Sequence, residues 1–278
     1  MTLICDLYFT CMKVTLIGCG NMGLIYAKAL IKYNVVKPAD FLLVEKSSDR
    51  MEELTKMQIG EVVTPENPKI SKSDLILLAV KPQDFLELST QIKQHLHPRI
   101  TVLSIMAGLT IRYISNQLNH DLIVRAMPNS PAGLGMGVTA ITAHKDVLPE
   151  QLRRAEHLLS TTGRTVYLEN ESQLDAVTAL SGSGPAYFFY LVQNMIEAGK
   201  AMGLDEGVAA MLVKQTMLGS FHLINQADKS LDELIVAVAS KGGTTEAAFK
   251  VFENNQVGIS LQKAIFGAEA RAKELSKS

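Results

Sequence analysis

The 278-residue chain has no tryptophan, only three cysteines and a net charge of −1. Each scarcity excludes something. A nucleic-acid binder normally carries a basic excess gathered on one face; here lysine and arginine are scattered, and no indole offers a stacking surface. Cys5, Cys11 and Cys19 crowd one terminus in an odd number, match no zinc spacing and are followed by no second Cys or His cluster. That pattern fits reduced thiols in a cytosolic setting, with no disulfide framework and no metal. Uninterrupted apolar runs are short as well. PAYFFYLV is the longest candidate, far below the roughly 18 residues a membrane span needs. The opening MTLICDLYFTCM has neither the basic start nor the small-residue cleavage site of a signal peptide. Since Met12 stands directly before KVTLIGCG, residues 1–11 are expected to be an upstream extension or a tail without assigned function. What remains is 47% hydrophobic and 20% charged, which describes a soluble protein with a sizeable core and about two domains.

The first half alternates. Lys13–Ile17 is apolar and β-branched, and it runs into GCGNMG, where Gly18, Gly20 and Gly23 stand at G-x-G-x-x-G spacing. LIYAKALIKY then continues at helical intervals. Between strand and helix this motif has a mechanism: the first glycine permits the tight turn and the second lets backbone approach a pyrophosphate. The third brings helix close to strand, and the helix start presents free N–H groups to the anion. Further strands are expected at 41–44, 74–80, 100–105 and 122–127, with helices after Ser48 and over 83–95 and 110–118. Such alternation implies a doubly wound α/β sheet whose ligands sit beyond the carboxyl ends of the strands. Three of those ends carry unusual loops: GCGNMG, AVKPQ and AMPNSPAGLG. Pro82 and Pro128 stop strands, while Lys81 and Asn129 place polar groups toward the expected crevice. At the end of the second strand, Glu45 suits a ribose diol and hence NAD. Lys46, Ser47, Ser48 and Arg50 suit a 2′-phosphate and hence NADP, and a solvated loop explains the same charges.

After Thr165–Leu168 the alternation stops. From about Ser172 the chain is rich in Ala, Leu and Met at helical spacing. Met195, Met202, Met211 and Met217 are expected to fill a core, and a homodimer that buries apolar helix faces is the structural default. Two glycine clusters interrupt this stretch, ALSGSGPAYFF (179–189) and SKGGTTEAAF (240–249). Glycines are costly inside helices, by about 1 kcal/mol each relative to alanine. In the second cluster, Gly243 as N-cap with Glu246 three residues later makes half of a capping box. Gly242–Thr245 would then offer free N–H groups and two hydroxyls at the positive helix end, a seat for a small carboxylate. A Gly-Gly turn between helices is the plainer alternative.

In their order and spacing, GCGNMG, AVKP, AMPNSPAGLGMGVTA, ALSGSGPAYF and SKGGTTEAA resemble pyrroline-5-carboxylate reductase, from Met12 to the C-terminus. The resemblance implies a Rossmann domain over 12–168 and an all-helical substrate and dimerisation domain over 169–278, assembled as homodimers and in some members as rings of dimers. It implies NAD(P)H-dependent reduction of 1-pyrroline-5-carboxylate to L-proline in the cytoplasm, with NADPH favoured and NADH open, and with neither nucleic acid nor membrane as partner. Carried over, Gly18, Gly20, Asn21, Met22 and Gly23 would hold the pyrophosphate, and Glu45, Lys46 and Ser47 the adenosine ribose. Ala79, Val80, Lys81 and Pro82 would line the nicotinamide side with Met127, Pro128 and Asn129. Ser240, Gly243, Thr244 and Thr245 match the substrate loop, with Thr245 at the ring nitrogen. Two departures stand out: Lys241 where the family often has proline, and Glu45-Lys46 where it often has Asn-Arg.

Hydride transfer to an iminium needs no protein nucleophile and no metal, since the cofactor supplies the reactivity. A β-hydroxyacid dehydrogenase would need a lysine in the helical domain for proton transfer. Aligned on Gly182-Ser183-Gly184, that position is Phe188, and within the helical domain no lysine precedes Lys200. A non-catalytic dinucleotide sensor is a second alternative, against which stands the presence of both SKGGTT and SGSGP.

Overall fold

The computed structural model describes residues 12–276, so the expectation for residues 1–11, with Cys5 and Cys11, falls outside the described residues. Strands β1 (Val14–Ile17), β2 (Phe41–Val44), β3 (Glu61–Val63), β4 (Leu75–Leu78), β5 (Thr101–Ser104), β6 (Ile123–Met127), β7 (Gly137–Ala143) and β8 (Gly163–Tyr167) alternate with helices α1 (Asn21–Lys32), α2 (Ser48–Met57), α3 (Phe85–Ile92), α4 (Ile111–Leu118) and α5 (Pro149–Ser160). The strands form one sheet in the order β3-β2-β1-β4-β5-β6-β7-β8. β1 to β6 run parallel, and β7 turns back against β6. Ile17 is in register with Val44 on one side and Leu78 on the other, so three carboxyl ends meet at one level. The order reverses between β1 and β4, the place where an open α/β sheet forms a crevice.

Side chains alternate between the two faces of a strand, and in this sheet both faces are covered. Leu16, Leu43, Leu77 and Val124 join Tyr26 and Leu30 of α1 in one core. Ile17, Val44, Ile76, Leu78 and Val102 join Phe85 of α3 and Ile114 of α4 in the other. This explains why β4, LILL, is apolar without a break: all four residues are buried. Thr110 starts α4 as its N-cap, the hydroxyl accepting from the Tyr113 N–H at 3.1 Å.

The chain divides into two compact units. The first holds residues 12–183 and 268–276 of the described chain, and the second holds 184–267. The domain change expected at 168/169 follows the last strand, and the first unit extends past it for a packing reason. Glu171 accepts from Arg125 Nη1 at 2.8 Å and from the Ile111 N–H at 2.7 Å, joining the post-strand segment to β6 and the start of α4. Leu174 of α6 (Gln173–Val177) and Ala179 are buried beside it. Asp175 accepts from Ser276 Oγ at 2.8 Å, which ties in the C-terminal residues.

The second unit contains α7 (Gly184–Ala201), α8 (Glu206–Gln226), α9 (Leu231–Val238), α10 (Thr244–Asn254) and most of α11 (Val257–Leu275). α7 and α8 approach closely at Gly199, where an added Cβ would stand 2.9 Å from the Ala209 Cβ. Yet the methionines expected as core filler are not buried: Met195, Met202 and Met211 are exposed by 52%, 76% and 59%. Phe188, Phe189, Phe221, Ile224 and Phe266 are exposed too. The helices of the described residues leave these faces uncovered. α8 is also long and apolar enough to cross a membrane by length and composition, although Lys214 and His222 interrupt it.

Arg125 is 4% exposed in its side chain and Glu171 is 28% exposed. Removing one partner of a buried pair strands the other charge. Glu171→Gln should therefore lower the unfolding free energy by about 3 kcal/mol, read from urea titration, whereas a surface pair would change it by less than about 1.

Candidate functional site

The glycine loop is shaped by close approach. Gly18 adopts φ +94, and a Cβ there would lie 2.7 Å from the Val80 nitrogen. A Cβ on Gly23 would lie 2.0 Å from the Gly18 carbonyl oxygen. Both positions therefore exclude any side chain. Gly20 differs: an added Cβ would meet no protein atom within 4 Å, so its open side is the crevice it lines. α1 begins there with Gly20 as N-cap, no side-chain cap and no acidic residue in its first turn. Its first internal bond is Leu24 N–H to Gly20 C=O at 2.9 Å. The helix itself thus leaves the N–H groups of Asn21, Met22 and Gly23 without partners, at the positive end of its dipole.

The crevice encloses about 210 Å³. Of the expected cofactor residues, Gly18, Gly20, Glu45, Lys46, Ala79, Val80 and Lys81 line it. Asn21, Met22 and Gly23 form the adjoining first turn of α1, Ser47 is the N-cap of α2, and Pro82 opens a 3₁₀ turn before α3. Asp84, Glu87 and Gln91 line it as well. Sequence reasoning placed 83–95 in a helix and did not single these residues out, because polar side chains at helical spacing do not show which of them a strand end will meet.

Glu45 is not free. Its Oε1 accepts from the backbone N–H groups of Lys46 at 2.9 Å and Ser47 at 3.2 Å, so the carboxylate folds over its own loop. Lys46 Nζ stands 3.8 Å from Glu87, an exposed pair. Arg50 donates to the Cys19 carbonyl at 2.9 Å and also pairs with Glu53, which ties α2 to the glycine loop. Cys19 is 1% exposed. Burial, reinforced by the Glu45 charge and opposed by Arg50, pushes its thiol up to about 12.

Met127, Pro128 and Asn129 lie at the end of β6, two strands along from β4, and do not line this crevice. The Asn129 amide, expected to face the crevice, is engaged with protein. Its Oδ1 accepts from the Val138 N–H at 3.0 Å, and its Nδ2 donates to Ser181 Oγ at 3.3 Å.

In the second unit, Ser240 lies in the loop that leads into α10, Gly243 is its N-cap, and Thr244 and Thr245 are its first two residues. The expectation of free N–H groups from Gly242 to Thr245 holds only in part. Gly242, at φ +75, donates to the Glu246 carboxylate at 2.5 Å, and Gly243 donates to the Ser240 carbonyl at 2.9 Å. The box therefore closes one residue before the cap. Thr244 and Thr245 precede the first helical bond, Ala247 N–H to Gly243 C=O at 3.2 Å, so the helix leaves their N–H groups unused. Lys250 at 2.8 Å, and then the Gly242 N–H, hold the Glu246 carboxyl below its ordinary range.

A doubly wound sheet with an uncapped glycine-loop helix at its crevice, followed by a helical unit, has the build of a dinucleotide-binding protein. Residues 13–108 match the family model described as NADP oxidoreductase coenzyme F420-dependent, and residues 171–275 match that described as Pyrroline-5-carboxylate reductase dimerisation. The pyrroline-5-carboxylate reductase of Pseudomonas aeruginosa is 33% identical over 266 residues, covering 95% of this chain and 97% of its own. That of Synechocystis is 34% identical over 266 residues, covering 95% and 98%. A solved pyrroline-5-carboxylate reductase from Coxiella burnetii superposes with a TM-score of 0.86 at 31% identity, covering 96% of this chain and 100% of that one. The Plasmodium falciparum pyrroline carboxylate reductase, solved with NADP bound, has a TM-score of 0.86 at 25% identity, covering 96% and 99%. The chain belongs to the pyrroline-5-carboxylate reductase family.

Cys19 gives a check on the glycine loop. In a background of Cys5→Ser and Cys11→Ser, iodoacetamide at about pH 8 should leave the folded protein unmodified by mass spectrometry, and label it fully in urea. Because folding raises this thiol from its ordinary 9.0 to about 12, the folded state holds the proton more tightly. Its contribution to stability is complete below pH 9.0 and is lost as pH rises toward about 12.

Proposed function

We propose that this chain reduces 1-pyrroline-5-carboxylate to L-proline at the expense of NADPH or NADH, the last step of proline synthesis. The observation that carries this reading is the presence on one chain of two helix starts whose N–H groups the helix leaves unused. One is the uncapped start of α1 beside the open Gly20, and the other is the Thr244–Thr245 start of α10. The first suits a pyrophosphate and the second a small carboxylate. When bound, the dinucleotide would supply a hydride to the ring carbon of the protonated cyclic imine, whose nitrogen already carries its proton. The protein's work is binding and alignment, which can itself remove several kcal/mol of the barrier.

In this reading Gly18, Gly20, Asn21, Met22 and Gly23 cradle the pyrophosphate. Glu45, Lys46 and Ser47 meet the adenosine ribose; Ala79, Val80, Lys81 and Pro82, with Met127, Pro128 and Asn129, form the nicotinamide side. Ser240, Gly243 and the N–H groups of Thr244 and Thr245 take the substrate carboxylate. The Thr245 hydroxyl bonds the ring nitrogen. The chain is an oligomer-forming member of its family through the helical unit. A homodimer is the smallest assembly that covers the exposed faces of α7 and α8, and a decameric ring of dimers is the larger form the family allows. A cytoplasmic location, with neither nucleic acid nor membrane as partner, goes with this chemistry.

The direct experiment is cofactor oxidation with 1-pyrroline-5-carboxylate against both NADPH and NADH. Absence of imine-dependent oxidation with either would remove the reading. Thr245→Ala should lower kcat by about tenfold or more, as loss of one well-placed hydrogen bond predicts; unchanged kcat and KM would remove Thr245 from the ring nitrogen. Glu45→Asn should raise the NADPH/NADH ratio of kcat/KM by about tenfold, since a carboxylate repels a 2′-phosphate. A ratio left as in the wild type would show that Glu45 is not the discriminator.

A further inference from the structure

Beyond the contact of Ser181 with Asn129, the Ser181–Gly184 cluster has no role assigned above, yet its backbone is unusual. Thr178–Gly182 form a π-helical turn between α6 and α7, closed by the Ser183 N–H donating to the Thr178 carbonyl at 2.9 Å. Such a turn holds one residue more than an α turn and recurs at functional sites. The turn is pinned from within the first unit. Thr178 Oγ1 donates to the Leu174 carbonyl at 2.7 Å, and Ala179 is 1% exposed.

Two successive residues of this turn meet the end of β6. A Cβ on Gly182 would stand 2.6 Å from the Met127 ε-methyl, so only a residue without a side chain leaves that methyl in place. Next to it, Ser181 Oγ accepts from Asn129 Nδ2 at 3.3 Å. Asn129 is held from its other side by the Val138 N–H at 3.0 Å. Met127 is unbranched and adaptable, so its methyl goes where the neighbouring wall allows. The π turn supplies that wall.

We propose that the π turn at Thr178–Gly182 sets the position of Met127 and Asn129, and that Gly182 is a positioning residue for imine reduction, acting through Met127. This rests on the proposed function, in which Met127–Asn129 belong to the nicotinamide side. A chain that aligns two reactants without acid–base help depends on the shape of that wall, and a displacement of about 1 Å can cost up to about a hundredfold in rate.

The test is Gly182→Ala. The new methyl meets the far end of a flexible side chain, so the backbone can stay and Met127 swings away. Alanine is also the better helix former. The thermal midpoint should therefore stay near the wild-type value while kcat falls by about tenfold or more. The dissociation constant for NADPH, bound mainly through its phosphates, should change by less than about threefold. The double variant Gly182→Ala/Met127→Ala should lose no more than the worse single one, because the clash has no partner left. Ser181→Ala adds no atoms and should lower kcat at unchanged KM; it decides alone if Gly182→Ala does not fold. Wild-type protein that oxidises neither NADPH nor NADH in the presence of the imine would overturn the proposed function and this inference with it. Active wild type, with kcat unchanged in Gly182→Ala or in a folded Ser181→Ala standing alone, would overturn the inference only. Additive losses in the double variant would do the same.

Discussion

The approach of Gly23 to the Gly18 carbonyl, with room for no side chain between them, is the contact on which the first unit's site depends. It brings α1 down against the end of β1 and leaves Gly20 at the helix start with its side open. The approach of Gly18 to the Val80 nitrogen then fixes the neighbouring strand end, so the uncapped start of α1 and the Ala79–Lys81 turn form one wall. A methyl group at either glycine would push these backbones apart, and backbone has no rotamer through which to yield. The parallel register of β1 with both β2 and β4 extends the same geometry to Glu45, which lies one residue beyond β2.

Stability and assembly are divided between the units. The first has two continuous cores on either side of a covered sheet, and its polar tie at Arg125 and Glu171 is nearly dry on one side. The helices of the second bury little apart from the α7–α8 crossing at Gly199 and Ala209. Exposed apolar faces of that extent on a monomer mark an interaction surface. The same composition that lets α8 pass for a membrane span by length is what a helix needs when another subunit covers it. Burial is then completed only in the oligomer, so folding and association of this unit are linked.

Much of the architecture was legible because the signals were local and strong. LILL, within an alternating run of strands and helices, suited a strand covered on both faces, and GCGNMG between strand and helix has a specific steric meaning. β3 and β7 were not foreseen. β3 has three residues, too few to show a period, and β7, GVTAITA, carries small residues whose pairing with β6 and β8 is nonlocal. Asn129 looked like a crevice residue because it follows a strand end. Nothing local reveals that Val138 and Ser181 will claim its amide. The methionines misled for a related reason: amphipathic spacing shows that a face will be covered, not by which chain.

The half capping box at Gly243 shows where pattern gives way to geometry. Spacing placed Glu246 opposite the cap residue, but the Ser240 carbonyl reaches the Gly243 N–H first. The carboxylate therefore closes on Gly242, whose positive φ turns its N–H inward. The consequence bears on chemistry. A carboxylate held by Lys250 and by a backbone N–H is directed back toward its own loop, so it does not compete for the Thr244 and Thr245 N–H groups. The same device recurs at Glu45, which folds onto the Lys46 and Ser47 N–H groups. In both loops an acidic residue closes on backbone N–H groups of its own turn, which satisfies the turn from within.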